Sequence, residues 1–217
     1  MHSYKPLYRC GAYQLANDLH TEIISMGYRL SKIYTRTGDD GQTGLADGRR
    51  VNKSHPRIEA IGALDEFNSS LGLLLAELQD QLSAAPKLEA IITALTPCQH
   101  RIFDMGGELA MPEYQALHAD EITRIEQTID AWNVQVGPLK EFILPGGSRL
   151  IAQAHICRSS ARNAERRCQA LHSSESLRPE MLGYINRLSD LLFVAARLIA
   201  QYQDCAEIHW QAAEKPL

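Results

Sequence analysis

Apolar and small residues recur at alternating spacings of four and three along three long stretches of this chain, and that periodicity leaves little choice of fold. Leu150, Ala154, Cys157, Ala161, Ala164, Cys168 and Leu171 form one seam, and Met181, Ile185, Leu188, Leu192, Ala195, Ile199 and Tyr202 form another. Ile61, Leu64, Asn68, Leu71, Leu75 and Leu78 make a third, interrupted by the polar Asn68. An α-helix gathers such positions onto one face, whereas a strand needs strict alternation. No convincing alternating run occurs. Each seam must be covered by another, so the chain predicts an all-α fold.

Two further helices complete the count. Residues 87–110 carry Leu88, Ile91, Leu95, Ile102 and Leu109, with Pro97 expected to kink or split them. Residues 120–133 carry Ile122, Ile125, Ile129 and Trp132 behind Asp120 as a cap. Pro56 behind Ser54, and Ser148 after Pro145-Gly146-Gly147, read as helix starts. The expectation is a five-helix, up-down bundle over residues 28–205, with an N-terminal Gly/Thr-rich loop. Residues 1–27 show no clear period and read as an extension, disordered or from a misplaced start. Residues 206–217 read as a C-terminal tail.

A chain of 217 residues, 45% of them hydrophobic, is long enough to bury one sizeable core. Its formal net charge of −4 argues against a nucleic-acid surface, so any phosphate binding must come from local clusters of Arg and Lys. The five cysteines are scattered, without a C-x-x-C pair, which suits a reducing cytoplasm rather than a disulfide framework. Leu191–Ala196 is the longest apolar run and far too short to span a bilayer.

Residues 32–53 are the first candidate binding element. Gly38, Gly41 and Gly44 permit close backbone approach, Thr35, Thr37 and Thr43 offer hydroxyls, and Lys32, Arg36 and Lys53 bring positive charge. The segment lacks the G-x-x-x-x-G-K-[ST] of a Walker A loop, and Arg50 stands where an EF-hand starting at Asp39 needs Glu. An ordinary Gly-rich surface turn fits the same residues.

Two polar stripes flank the core seams. Arg158, Arg162, Glu165 and Arg166 share one helix face, where guanidinium groups can grip phosphate bidentately and Glu165 can orient a neighbour or help hold a metal. A solvated face with an Arg–Glu pair is the alternative. Asn186 and Asp190 lie one turn apart on the last helix, suited to a ribose, a base edge or a magnesium-bound water, or to plain surface pairing. Asn68 needs a hydrogen-bond partner if buried, with Asp65 one turn before it. Phe142, by residue type, reads as core. No E-x-x-H, H-E-x-x-H or G-x-S-x-G occurs, which removes di-iron, zincin and hydrolase readings.

The stretches Thr35–Thr43, Arg57–Ala60 with Gly62–Ser69, Phe142–Ser148, Arg158–Arg166 and Asn186–Asp190 together resemble the ATP:cob(I)alamin adenosyltransferase family of the propanediol-utilisation type. They occur in family order across residues 28 to about 204. The resemblance implies a homotrimer with ATP and corrinoid bound at subunit interfaces, while the charge and the short apolar runs lead us to expect no nucleic-acid or membrane partner. An adenosylcobalamin-dependent enzyme is an expected acceptor of the product.

By the same resemblance, Lys32, Thr35, Arg36, Thr37, Gly38, Asp39, Gly41, Thr43 and Lys53 surround the triphosphate. Arg162, Glu165, Arg166, Asn186 and Asp190 complete the ATP site, with Glu165 or Asp190 near Mg2+. Asp65 and Arg158 form a salt bridge beside the cobalamin, and Phe142 blocks the lower face of the corrin. Phe67 stands where the family usually has Leu, and Asn163 where it often has Arg. A non-catalytic ATP/corrinoid sensor or chaperone, and a purely structural bundle, are the competing readings.

Overall fold

The computed structural model describes residues 33–213. The chain divides into two units between Arg36 and Thr37, and every named element lies in the second. Five helices account for most of it: α1 (Pro56–Gln81), α2 (Glu89–Ala110), α3 (Ala119–Val136), α4 (Arg149–His172) and α5 (Pro179–Tyr202).

The helix starts follow local chemistry. Pro56 opens α1, where its missing N–H costs nothing, and the His55 ring accepts from the Arg57 N–H at 3.2 Å. Ser148 caps α4 by accepting from the Ile151 N–H at 3.3 Å. Two sequence expectations are corrected. Asp120 sits inside the first turn of α3, whose cap position is His118. Helix α2 runs through Pro97 as one element, so the proline does not split it.

Helix α4 packs against both α1 and α5, while α2 covers α1 and α3 covers α5. The small seam of α4 explains its middle position. Ala154, Cys157, Ala161, Ala164 and Cys168 are all fully buried, and their short side chains let two helices approach at once. Larger residues fill the space from either side, including Phe67, Leu64, Leu71 and Leu78 of α1 and Tyr184, Ile185 and Leu192 of α5. Each fully buried Leu contributes about 1.5–3 kcal/mol. Burial pushes the Cys157 and Cys168 thiols up to about 12, so they serve as inert packing groups.

Buried charge ties the helix ends together. Arg57, at the start of α1, donates to the Leu109 carbonyl at the end of α2 at 2.6 Å and pairs with Glu175 just beyond α4. Glu108, 5% exposed, accepts from the Ala116 and Leu117 N–H groups at 2.9 and 2.7 Å and pairs with Arg178 at 3.0 Å. No described helix is long and apolar enough to cross a membrane.

The absence of strands expected from sequence is also corrected. A small antiparallel hairpin joins β1 (Gln42–Gly44) to β2 (Arg50–Asn52), pairing Thr43 with Val51. Its turn is closed by Leu45 N–H donating to the Arg49 carbonyl at 2.8 Å, with Gly48 at φ 85°. Three-residue strands flanked by glycine carry too little alternation to be read from sequence.

Candidate functional site

The loop before β1 is drawn tight by its own backbone. Gly41, at φ 85°, supplies the left-handed conformation that closes the Gly38–Gly41 turn, in which the Gly41 N–H donates to the Gly38 carbonyl at 3.2 Å. Asp40 accepts from the Gln42 N–H at 3.0 Å, and Arg50 donates to the Thr37 carbonyl at 2.5 Å. A side chain at Gly38 would stand 3.0 Å from the Gln42 carbonyl and 3.3 Å from Lys53 Nζ, so the lysine ammonium lies against this turn. Thr37, Asp39 and Lys53 are exposed, and Thr43 is half-buried. Thr35 and Arg36 belong to the preceding unit, where the Arg36 guanidinium lies over the Tyr34 ring at 5.6 Å. Lys32 lies outside the described residues.

The second group is built by α4 against α5. The Asn186 amide donates to Glu165 Oε1 at 2.8 Å. Asp190, one turn further along α5, feels both Glu165 and Arg162; burial first, with Glu165 adding, holds its carboxyl above the usual range despite Arg187 and Arg162. The two stripes seen separately in sequence are therefore one cluster.

Most of the described arginines are paired, among them Arg57, Arg101, Arg124, Arg178, Arg187 and Arg197. Among the described residues, Arg158, Arg162 and Arg166 make no salt bridge. Arg158 Nε is buried with no hydrogen-bond partner, and burial together with the like charge of Arg162 pulls its pKa down. Three adjacent guanidinium groups left without counter-ions on one helix form a face ready for a polyanion.

The expected Asp65–Arg158 salt bridge is not formed: among the described residues no ion pair joins them, and Asp65 is exposed on α1. Nearby Asn68 Oδ1 is buried without a partner, the cost anticipated for a polar residue in that seam.

Phe142 is corrected from core to surface, being 81% exposed. It lies on a strip whose backbone pairs with the C-terminal tail: the Trp210 N–H donates to the Phe142 carbonyl at 2.7 Å, and the Leu144 N–H to the Ile208 carbonyl at 2.8 Å. Arg197 anchors both sides, donating to the Gly137 carbonyl at 2.8 Å and pairing with Glu207 at 2.7 Å. Trp210, half-exposed beside Phe142, was missed in sequence. The signal was a single tryptophan in a short tail that continues no helical seam.

The structure thus brings Arg162, Glu165, Asn186 and Asp190 together, and Gly38 with Lys53. From Gly38 to Lys53, side-chain hydrogen bonds and salt bridges stay within the loop and hairpin, and among the described residues none reaches α4 of the same chain.

Residues 33–199 match the family model described as cobalamin adenosyltransferase. A cobalamin adenosyltransferase of Cupriavidus metallidurans is 49% identical over 86% of this chain and 97% of its own length. A corrinoid adenosyltransferase of Bacillus subtilis is 42% identical over 83% of this chain and 92% of its own. A variant PduO-type ATP:corrinoid adenosyltransferase from Lactobacillus reuteri, complexed with cobalamin and ATP, superimposes with a TM-score of 0.73 at 30% identity, over 83% of this chain and 100% of that one.

Proposed function

The chain belongs to the cobalamin adenosyltransferase family, and we infer that it transfers the 5′-deoxyadenosyl group of ATP to the cobalt of a reduced corrinoid, releasing triphosphate. The observation that carries the site assignment is the row of unpaired Arg158, Arg162 and Arg166 beside the joined Glu165 and Asn186.

In this reaction cobalt(I) of the corrinoid substrate donates its electron pair to the ribose 5′ carbon. The cobalt–carbon bond forms, the carbon–oxygen bond breaks, and that electron pair leaves with triphosphate. No proton is abstracted, so neither a general base nor a protein nucleophile is required. The protein must position two substrates and offset charge on the leaving group. Arg162 and Arg166 grip the triphosphate, and Asn186 directs Glu165. The turn at Gly38, with Thr37, Asp39, Gly41, Thr43 and Lys53, wraps the phosphates from the other side, and Lys32, Thr35 and Arg36 are assigned to phosphate binding by the family pattern alone. Phe142 covers the lower face of the corrin and keeps an axial base from the cobalt, the corrinoid itself carrying the difficult electronics. Asp65 and Arg158 border the corrinoid, with no ion pair between them.

Glu165 and Asp190 fit magnesium. They are two carboxylates under mutual repulsion, and no cluster of three metal-binding side chains occurs among the described residues. Mg2+ takes one or two carboxylates and completes its shell with phosphate and water. Bound there, it would neutralise charge on the departing triphosphate.

The assembly we propose is a homotrimer. Side-chain bonds of the Gly38–Lys53 segment run within it and to the Thr37 carbonyl, and among the described residues none reaches its own α4, so a neighbouring chain's loop can meet the arginine row. Exposed Leu73 and Ile156, on the adjoining α1 and α4, offer apolar surface for that neighbour. The short Ser173–Arg178 turn between packed α4 and α5 favours an up-down course. The catalytic domain covers residues 28–205, flanked by residues 1–27 and 206–217, and the scattered thiols suit the cytoplasm, where an adenosylcobalamin-dependent enzyme would receive the product.

The test is conversion. ATP with chemically reduced cobalamin should give the adenosylcobalamin spectrum and equimolar triphosphate. ATP binding without product would favour a corrinoid sensor or chaperone.

A further inference from the structure

Helix α3 is joined to the Asn186–Glu165 pair through Arg187. Arg187 Nε donates to Glu126 Oε1 of α3 at 2.8 Å, and Arg187 Nη1 donates to Asn186 Oδ1 at 2.6 Å. The Asn186 amide, its oxygen so engaged, turns its NH2 group to Glu165 Oε1 at 2.8 Å. Four side chains from three helices therefore form one unbroken chain, Glu126–Arg187–Asn186–Glu165. Every donor and acceptor along it has the polarity its neighbour needs.

An asparagine amide can flip, exchanging its oxygen for its nitrogen. With the Arg187 cation on one side, only one orientation is compatible, because the NH2 group would otherwise face a guanidinium. Glu126 in turn holds the Arg187 fork in place. A carboxylate that accepts from a fixed amide has one oxygen committed and the other left for a ligand. We propose that Glu126 and Arg187 are positioning residues: they set the Asn186 amide, and through it the Glu165 carboxylate, for ATP. This rests on the assignment of Asn186 and Glu165 to the ATP site.

The Glu126–Arg187 pair is a poor candidate for a stability device. Its side chains are 45% and 39% exposed, and pairs at that exposure contribute little to folding. Its value lies in the direction it imposes. The geometry at Arg187 is also specific to a planar fork, since one nitrogen serves Glu126 and another serves Asn186. A lysine has a single ammonium and cannot reproduce both directions.

The experiment measures ATP affinity by calorimetry, and steady-state kcat and KM with reduced cobalamin, for Glu126→Gln, Arg187→Met, Arg187→Lys and the double variant Glu126→Gln/Arg187→Met. Arg187→Met should weaken ATP binding about fivefold, the effect of losing one oriented hydrogen bond. Glu126→Gln should weaken it less, and Arg187→Lys should fail to rescue. The decisive reading is non-additivity: the double variant should bind ATP as Arg187→Met does, because Glu126 acts only through Arg187. Melting temperatures should move little. Unchanged ATP affinity in Arg187→Met, or losses that multiply in the double variant, would overturn the proposal. Should the unaltered protein bind ATP yet make no adenosylcobalamin, the transfer reading falls, while the same affinities still decide the relay.

Discussion

Arg162→Ala separates a binding role from a folding one. The Arg162 side chain is exposed on α4 and makes no hydrogen bond or salt bridge among the described residues. Its charge is unfavourable to its neighbour, since it helps depress the pKa of Arg158. Alanine is also a slightly better helix former than arginine. Removing the side chain should therefore leave the melting temperature within about 2 °C. What the variant forfeits is a charge-assisted hydrogen bond to phosphate, worth about 1.5–3 kcal/mol. That corresponds to a fall in kcat/KM of roughly ten- to a hundredfold. Arg162→Lys should fall between, keeping charge but losing the two-pronged grip. Arg149→Ala is the control. Arg149 opens the same helix, about 20 Å along the axis from Arg162, and pairs with Glu77 at 3.0 Å. The assay follows the cob(I)alamin spectrum at varied ATP. A folded Arg162→Ala protein turning over within twofold of the unaltered chain would refute the assignment of Arg162 to the triphosphate.

Phe142→Ala removes an exposed ring, so fold and ATP affinity should persist while adenosylation slows; collapse of ATP binding with turnover per bound ATP intact would contradict its place at the corrin. Glu108→Ala strips a buried acceptor from two N–H groups and from Arg178, and should cost about 3 kcal/mol, a drop of about 6–12 °C in melting temperature; a drop under 2 °C would show that water replaces it. Asp190, with its pKa raised in the folded chain, favours folding while protonated and loses that contribution as pH rises through the raised value. Asp190→Asn should thus stabilise the protein at pH 7 and have no effect well below the ordinary aspartate value of 3.8, as melting curves at both pH values would report.

The bundle was legible because burial follows helical period. Leu150 to Leu171 contains no exposed seam residue, and Phe67, where Leu is usual, is accommodated at 0% exposure. The site was legible only in halves. Arg162 and Glu165 can be placed on one face by counting, as can Asn186 and Asp190, but nothing local says that α4 and α5 turn those faces together. Phe142 was misread because residue type reports a preference for burial, and here backbone pairing with residues 208–210 fixes the strip while leaving the ring outside. Glu126 carried no signal at all, since a lone glutamate on an amphipathic helix is ordinary and its meaning comes from Arg187 on another helix. The missing Asp65–Arg158 pair shows the reverse case, in which residues matched to a family pattern lie on packed helices yet form no bond.

Whether one site is built from two chains is tested most directly by subunit complementation. Lys53→Ala damages the loop and Arg162→Ala damages the α4 row, so each variant alone should lose about tenfold or more in activity. After the two are unfolded together and reassembled, about a quarter of the interfaces in a cyclic trimer join an intact loop to an intact row. Recovery of about that share of wild-type kcat is the expected result. A mixture no more active than its parents would contradict a site shared across the interface, and would require the loop and the arginine row to act within one chain.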